Sequence, residues 1–114
     1  MRTNFNMQDE NITMVKGDTL SFNVILNDDE GNPVTVDSAE FAVRKNPTSG
    51  ASTKVDLTDG ITQSDGVMTV RLAPSKTSAL YGGYYYYDLR IGIDSDVYTL
   101  LKGMMLLEVP VSTS

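Results

Sequence analysis

Between Gly82 and Val111 the chain alternates in the manner of an extended hairpin. Tyr85, Tyr87, Leu89, Ile91 and Ile93 fall on one side, and Tyr84, Tyr86, Asp88 and Arg90 on the other, because successive strand side chains point to opposite faces. The first set is apolar enough to line a core. The second mixes aromatic rings with charge, as a solvent-facing row does. Asp94, Ser95 and Asp96 supply turn residues, and Val97 to Leu101 predicts the returning strand. Gly103 predicts a kink, beyond which Met105, Leu107, Val109 and Val111 continue an apolar row.

The first half repeats the pattern in shorter pieces. Ile12, Met14 and Val15 predict a first strand, and Lys16, Gly17 and Asp18 a turn. In the strand over 19–26, Leu20, Phe22, Val24 and Leu26 face one way and Ser21, Asn23 and Ile25 the other, the signature of a sheet with one buried and one wet face. Residues 27–33 are nearly all turn formers. Val34 and Val36 begin a return, and 39–44 continues it, with Phe41 and Val43 on one face. Residues 46–53 read as an exposed Ser, Thr, Gly and Pro loop. Short strand pieces follow at 54–57 and 60–63, then a hairpin turn at Ser64, Asp65 and Gly66 into 67–72, where Met68, Val70 and Leu72 share a face. Residues 74–81 predict a two-turn helix, with Pro74 at its start and Gly82 just past its end, packed by Leu80. The result is an all-β antiparallel sandwich of seven to eight short strands with one short connector helix, since turn signals recur about every 8–12 residues.

Composition narrows the function. The 114 residues suit one domain with a single core, expected over 11–114 behind a flexible polar arm at 1–10. Fifteen acidic residues against nine basic ones give a net charge of −6 and a pI near 4.4. No basic cluster offsets this, so nucleic acid is not expected as a partner, because affinity for its backbone comes from Lys and Arg releasing counterions. No apolar run approaches the ~18 residues that span a bilayer, so no membrane association is expected, and a product made in the cytoplasm is.

The sequence contains no histidine and no cysteine. Ser–His and Cys–His nucleophile pairs are thereby excluded within one chain, as are disulfides and thiolate metal sites. Of the acids, Asp28, Asp29, Asp59, Asp65, Asp94 and Asp96 sit at turns, where aspartate bonds back to the local backbone. That favours a structural role over a catalytic carboxylate pair. The 28–32 loop and the Asp94/Asp96 turn fall short of the six to eight oxygens that calcium takes. No catalytic residue, cofactor or metal site is expected.

The tyrosines are the stronger candidates. Tyr84 and Tyr86 share a face with Asp88 and Arg90, and Tyr98 is expected to join them across the hairpin. Such a row serves as an interface, because each ring buries a large rigid area and keeps a hydroxyl. It also serves simply to stabilise a sheet by cross-strand contact. A sugar-binding platform is a third reading, with no tryptophan to strengthen it.

Taken in order, several of these features resemble one family. They are Lys16, Gly17, Asp18 and Thr19 before Leu20, Phe22 and Val24; Asp29 to Val34; the 74–81 segment; Gly83 to Leu89; and the Leu100, Leu101, Lys102, Gly103 corner before the closing strand. From about Ile12 to Val111 the chain is similar to the N-terminal domain of baseplate upper proteins of Gram-positive siphophages. The resemblance implies an immunoglobulin-like β-sandwich without catalytic residues. It also implies a structural role in a phage or prophage tail or baseplate, docking to other tail and baseplate proteins and to symmetry-related copies as a homo-oligomer within the virion. In that family a linker and a distal domain follow this one, whereas the present sequence ends at Ser114. The expected interface is Tyr84, Tyr86, Asp88, Arg90 and Tyr98; the alternative is a carbohydrate- or host-surface-binding module on the same rings.

Overall fold

A computed structural model describes residues 8–110, with the side chains of Gln8 and Asp9 left out of the description. Two sheets pack as a sandwich. The larger contains β1 (Gln8–Asp9), β2 (Ile12–Val15), β4 (Ser38–Arg44), β5 (Ala51–Asp56), β8 (Gly83–Ile93) and β9 (Asp96–Glu108), and the smaller contains β3 (Leu20–Ile25), β6 (Ile61–Ser64) and β7 (Val67–Leu72). Across the larger sheet the order is β1-β9-β8-β4-β5, with β2 also on β9; across the smaller it is β3-β7-β6. This is an immunoglobulin-like order. The smaller sheet holds strands B, E and D of that fold, and the larger holds C, F and G with an added strand beside C.

The sequence patterns place the core correctly. Tyr85, Tyr87, Leu89, Ile91 and Ile93 are buried on one side of β8, and Met68, Val70 and Leu72 on one side of β7. Leu20, Phe22 and Val24 pack against them from β3. Phe41 on β4, fully buried, links the two layers. Its ring meets Phe22 of the opposite sheet edge-on at 5.6 Å and Tyr87 of its own sheet at 5.5 Å. Aromatic pairs at these separations stabilise beyond the area they bury.

A tyrosine corner opens β8. The Tyr85 hydroxyl donates to the Tyr81 carbonyl at 2.7 Å, tying the strand to the bend that feeds it, as the corner tyrosine of this fold does. Tyr87, two residues on, holds the strand position at which antibody domains carry the second cysteine of their inter-sheet disulfide. Here the Phe22–Phe41–Tyr87 stack joins the sheets at that level.

Several expectations are corrected. The arm expected over 1–10 is tied down from residue 8: β1 and β2 both run parallel to β9 in a single register, Gln8 opposite Leu101 and Ile12 opposite Met105. Residues 1–7 lie outside the described part. The sandwich is therefore antiparallel except along this edge, where the N-terminal strand must enter the sheet in the same direction as β9. The loop expected over 46–53 ends at Gly50, because Ala51, Ser52 and Thr53 join edge strand β5.

The helix is one turn, α1 (Pro74–Thr77), not two. Thr77 is buried and its hydroxyl accepts the Gly17 N–H, while Lys16 Nζ donates to the Leu80 carbonyl. These bonds draw 77–80 onto the 16–17 turn and away from a second helical turn. The kink expected at Gly103 is absent, since β9 runs through it. The irregularity lies instead at Leu100, where two residues of β9 oppose one of β8. Val109, expected to continue the inward row, is exposed; Val111 lies outside the described residues.

Candidate functional site

The outer face of the larger sheet is built from rows of residues set side by side by the strand register. Tyr84 lies beside Leu106, and Leu106 beside Thr13; Arg44 beside Tyr86, and Tyr86 beside Met104; Ala42 beside Asp88, and Asp88 beside Lys102; Glu40 beside Arg90, and Arg90 beside Thr99. Tyr84 is 60% exposed, Tyr86 39% and Met104 36%. Aromatic and thioether surface thus occupies one half of the face and charge the other, which follows from the period of β8.

Tyr84, Tyr86, Asp88 and Arg90 therefore share this face, as expected from the sequence, but Tyr98 does not. It pairs with Ile91 and packs against the core. The turn is the reason. Only Asp94 and Ser95 form it, both with positive φ (52° and 82°), and Asp96 already pairs with Ile93. A three-residue turn through Asp96 would have set Tyr98 opposite Gly92, on the outside. The extra residue at Leu100 then restores the phase, so that Met105 and Leu107 point inward.

A cleft of about 410 Å³ opens beside Tyr86, walled by Arg44, Pro47, Asp88, Lys102, Met104 and Asn11. Its polar groups are held from several directions. Arg44 lies 3.8 Å from Glu40 and donates to the Ser49 carbonyl; Lys54 lies 3.6 Å from the same Glu40. Asn11 Oδ1 accepts the Met104 N–H at 3.2 Å, bridging the gap between β1 and β2. Asp88 Oδ1 is buried and has no hydrogen-bond partner in the structure, a state that costs about 1–3 kcal/mol when no donor fills it. No sequence signal announced the cleft, because it depends on Pro47 and Asn11 arriving from distant loops.

The turn acids do what aspartates at turns do. Asp28 Oδ1 accepts the N–H groups of Glu30 and Asn32. Asp56 Oδ1 accepts both the hydroxyl and the N–H of Thr58, and the hydroxyl bond first, then the backbone bond, hold its carboxyl below the ordinary value. Asp59 pairs with Lys76 at 2.7 Å. Among the described residues no group of three or more acidic side chains converges as a metal site would require, and no helix is long and apolar enough to cross a membrane. No protein-family model matches the chain, and a search of curated proteins found no match.

Proposed function

We propose that this protein is a non-enzymatic structural subunit of a phage or prophage tail or baseplate, acting in the virion by docking to neighbouring subunits through the outer face of its larger sheet. The observation that carries this reading is the aromatic row itself. Tyr84 and Tyr86 stand exposed beside Met104 on a rigid sheet braced from behind by the Phe41 stack. Large exposed rings on a flat, well-supported surface are the residue type that dominates protein interfaces. The phage assignment rests on the resemblance set out above. The test is the double variant Tyr84→Ser/Tyr86→Ser, followed by light scattering after size exclusion, alone and with candidate tail proteins. Weakened assembly with an unchanged circular dichroism spectrum supports the reading, and unchanged assembly overturns it.

The cleft favours a second reading, a carbohydrate- or host-surface-binding module. Tyr86 offers a ring for stacking, Asp88 an unfilled acceptor, and Arg44, Lys102 and Asn11 polar atoms around it. A sugar titration separates the two: saturable binding that is lost in Tyr86→Ser favours the module.

A further inference from the structure

The two sheets have four edges, and three of them are poorly suited to further pairing. β5 carries Lys54, and its ladder with β4 shifts register beside Arg44. β6 has four residues, and its Gln63 side chain accepts the Val36 N–H and donates to the Val36 carbonyl, which ties it to the 34–36 segment. The edge on β9 consists of β1 and β2, two and four residues long, interrupted at Glu10 and Asn11. Charge, shortness, irregularity and cover are the means by which folded proteins keep strand edges from pairing with other chains. β3 has none of them. Its six residues, Leu20–Ile25, are uncharged, contain no proline and pair with β7 in an unbroken register. Among the described residues no other strand pairs with it.

The phase of the β3–β7 ladder fixes which backbone groups face outward. The Leu26 N–H donates to the Gly66 carbonyl, one step beyond the Ile25–Val67 pair. By the alternation of an antiparallel ladder, the N–H and C=O of Leu20, Phe22 and Val24 turn toward β7, and those of Ser21, Asn23 and Ile25 turn away from it. The side chains show the same openness. Leu20, Phe22 and Val24 are half-buried, although their partners Leu72, Val70 and Met68 are fully buried. The inner row is thus uncovered where it reaches the open edge. On the outer side Ile25 is 72% exposed, beside the exposed Val67.

We propose that a second copy of this chain pairs here, β3 against β3, antiparallel about a two-fold axis at Asn23. In that register Asn23 faces the partner's Asn23, Ser21 faces the partner's Ile25, and Phe22 stands beside the partner's Val24. The outward backbone groups of one copy then meet those of the other, as in strand addition at a sheet edge. The inner row runs on from Val70 through Phe22 to the partner's Val24 and the partner's Met68, so each half-buried row covers the other. Charge also favours a second copy at this edge. A chain of net charge −6 repels its own copies through the summed field of its surface, but β3 brings no charge against itself. The nearest acids along the chain, Asp18 and Asp28, lie in the turns beyond its ends. The contact is isologous and closes at two copies. It uses the smaller sheet, so it leaves the tyrosine face of the larger one free.

Sedimentation and amide exchange across a concentration series test it. The series runs to about 1 mM, because so short an edge falls below the roughly 1,200 Å² of a stable complex and the dimer is weak. The parent chain is expected to dimerise, and its Ser21, Asn23 and Ile25 amides to exchange severalfold more slowly at about 1 mM than at about 10 μM. Raising salt from about 0.05 M to about 0.5 M is expected to strengthen the dimer by screening the repulsion between acidic copies. Asn23→Lys and, separately, Asn23→Asp set like charges opposite one another, and each is expected to weaken dimerisation about fivefold. An equimolar mixture is expected to recover it, because the lysine then faces the aspartate. Circular dichroism checks folding, and if charge at 23 is not tolerated, Ile25→Lys on the outer side takes its place and is likewise expected to weaken the dimer. A parent that stays monomeric at about 1 mM, a dimer whose three amides exchange as in the monomer, or variants that do not pair when mixed overturns the proposal. Exchange that is slow at every concentration overturns it too, and if removing residues 1–7 speeds it, that segment covers the edge. Tyr84→Ser/Tyr86→Ser is expected to leave this dimer unchanged; a dimer lost in that variant belongs to the tyrosine face and not to β3.

Discussion

The hydroxyl of Tyr87 donates to the backbone carbonyl of Glu10, seventy-seven residues earlier, and does so across Gly103. Tyr87 and Gly103 are direct partners in the β8–β9 ladder. A Cβ on Gly103 would overlap the Glu10 carbonyl and come within 3.2 Å of the Tyr87 ring. The glycine is therefore the floor on which ring and N-terminal segment meet. An aromatic side chain covering a cross-strand glycine is a known way of filling the space it leaves. This arrangement joins the N-terminal edge, β9 and the Phe41 stack into one unit.

Replacing Gly103 with alanine is expected to dislodge residues 8–10 while leaving the sandwich folded, at a cost of about 1–3 kcal/mol, the usual range for overpacking. Tyr87→Phe keeps the ring stack and removes one hydrogen bond, so a smaller loss of about 0.5–1.5 kcal/mol is expected. Urea unfolding measures both. Amide exchange at Glu10, whose N–H donates to the Lys102 carbonyl, reports the local release. Unaltered exchange in Gly103→Ala would show that the glycine is not needed for the contact.

Tyr85→Phe deletes the bond to the Tyr81 carbonyl without changing packing. About 1 kcal/mol of destabilisation is expected. Phe41→Ala, which empties the middle of the aromatic stack, is expected to cost about 3–5 kcal/mol. Thermal unfolding should rank the two in that order, and a larger effect for Tyr85→Phe would contradict the central place of Phe41.

At the β8–β9 turn, Asp94 and Ser95 both adopt left-handed backbone conformations that favour glycine. Ser95→Gly is expected to stabilise the protein by about 0.5–1 kcal/mol, since relief of the left-handed conformation exceeds the entropy glycine adds. A drop in melting temperature would argue against strain at this position.

Asp56 bears on pH. Its carboxyl is held below the ordinary value, first by the Thr58 hydroxyl and then by the Thr58 N–H. A carboxylate depressed on folding adds stability above its unfolded pKa and loses it as pH falls through the folded one. In Thr58→Val the hydroxyl is gone, so the Asp56 titration, followed by carbon NMR, is expected to move up toward the ordinary value. Asp56 is half-buried and its bonds to Thr58 lie at the solvent surface, where screening keeps the accompanying change in acid stability small. An unmoved titration would assign the depression to the backbone bonds instead.

Periodicity and turn chemistry were sufficient to read most of the strands, the inward rows of β3, β7 and β8, and the outward set Tyr84, Tyr86, Asp88 and Arg90, because alternation is a local property that each strand carries for itself. β1 and the start of β5 lack it and read as arm and loop. Turn length and pairing direction are not local in that sense. Whether Asp96 belonged to the turn or the strand decided on which face Tyr98 stands, and only the ladder from Ile93 outward resolves a one-residue difference. The parallel entry of β1 and β2, the roles of Gly103 and Gly17, and the cleft walled by Asn11 and Pro47 all arise where segments far apart in sequence are brought together. The alternation within each strand was thus determined by its own residues, and tertiary packing alone decided which way each row faces, which rows meet, and which tyrosines remain outside.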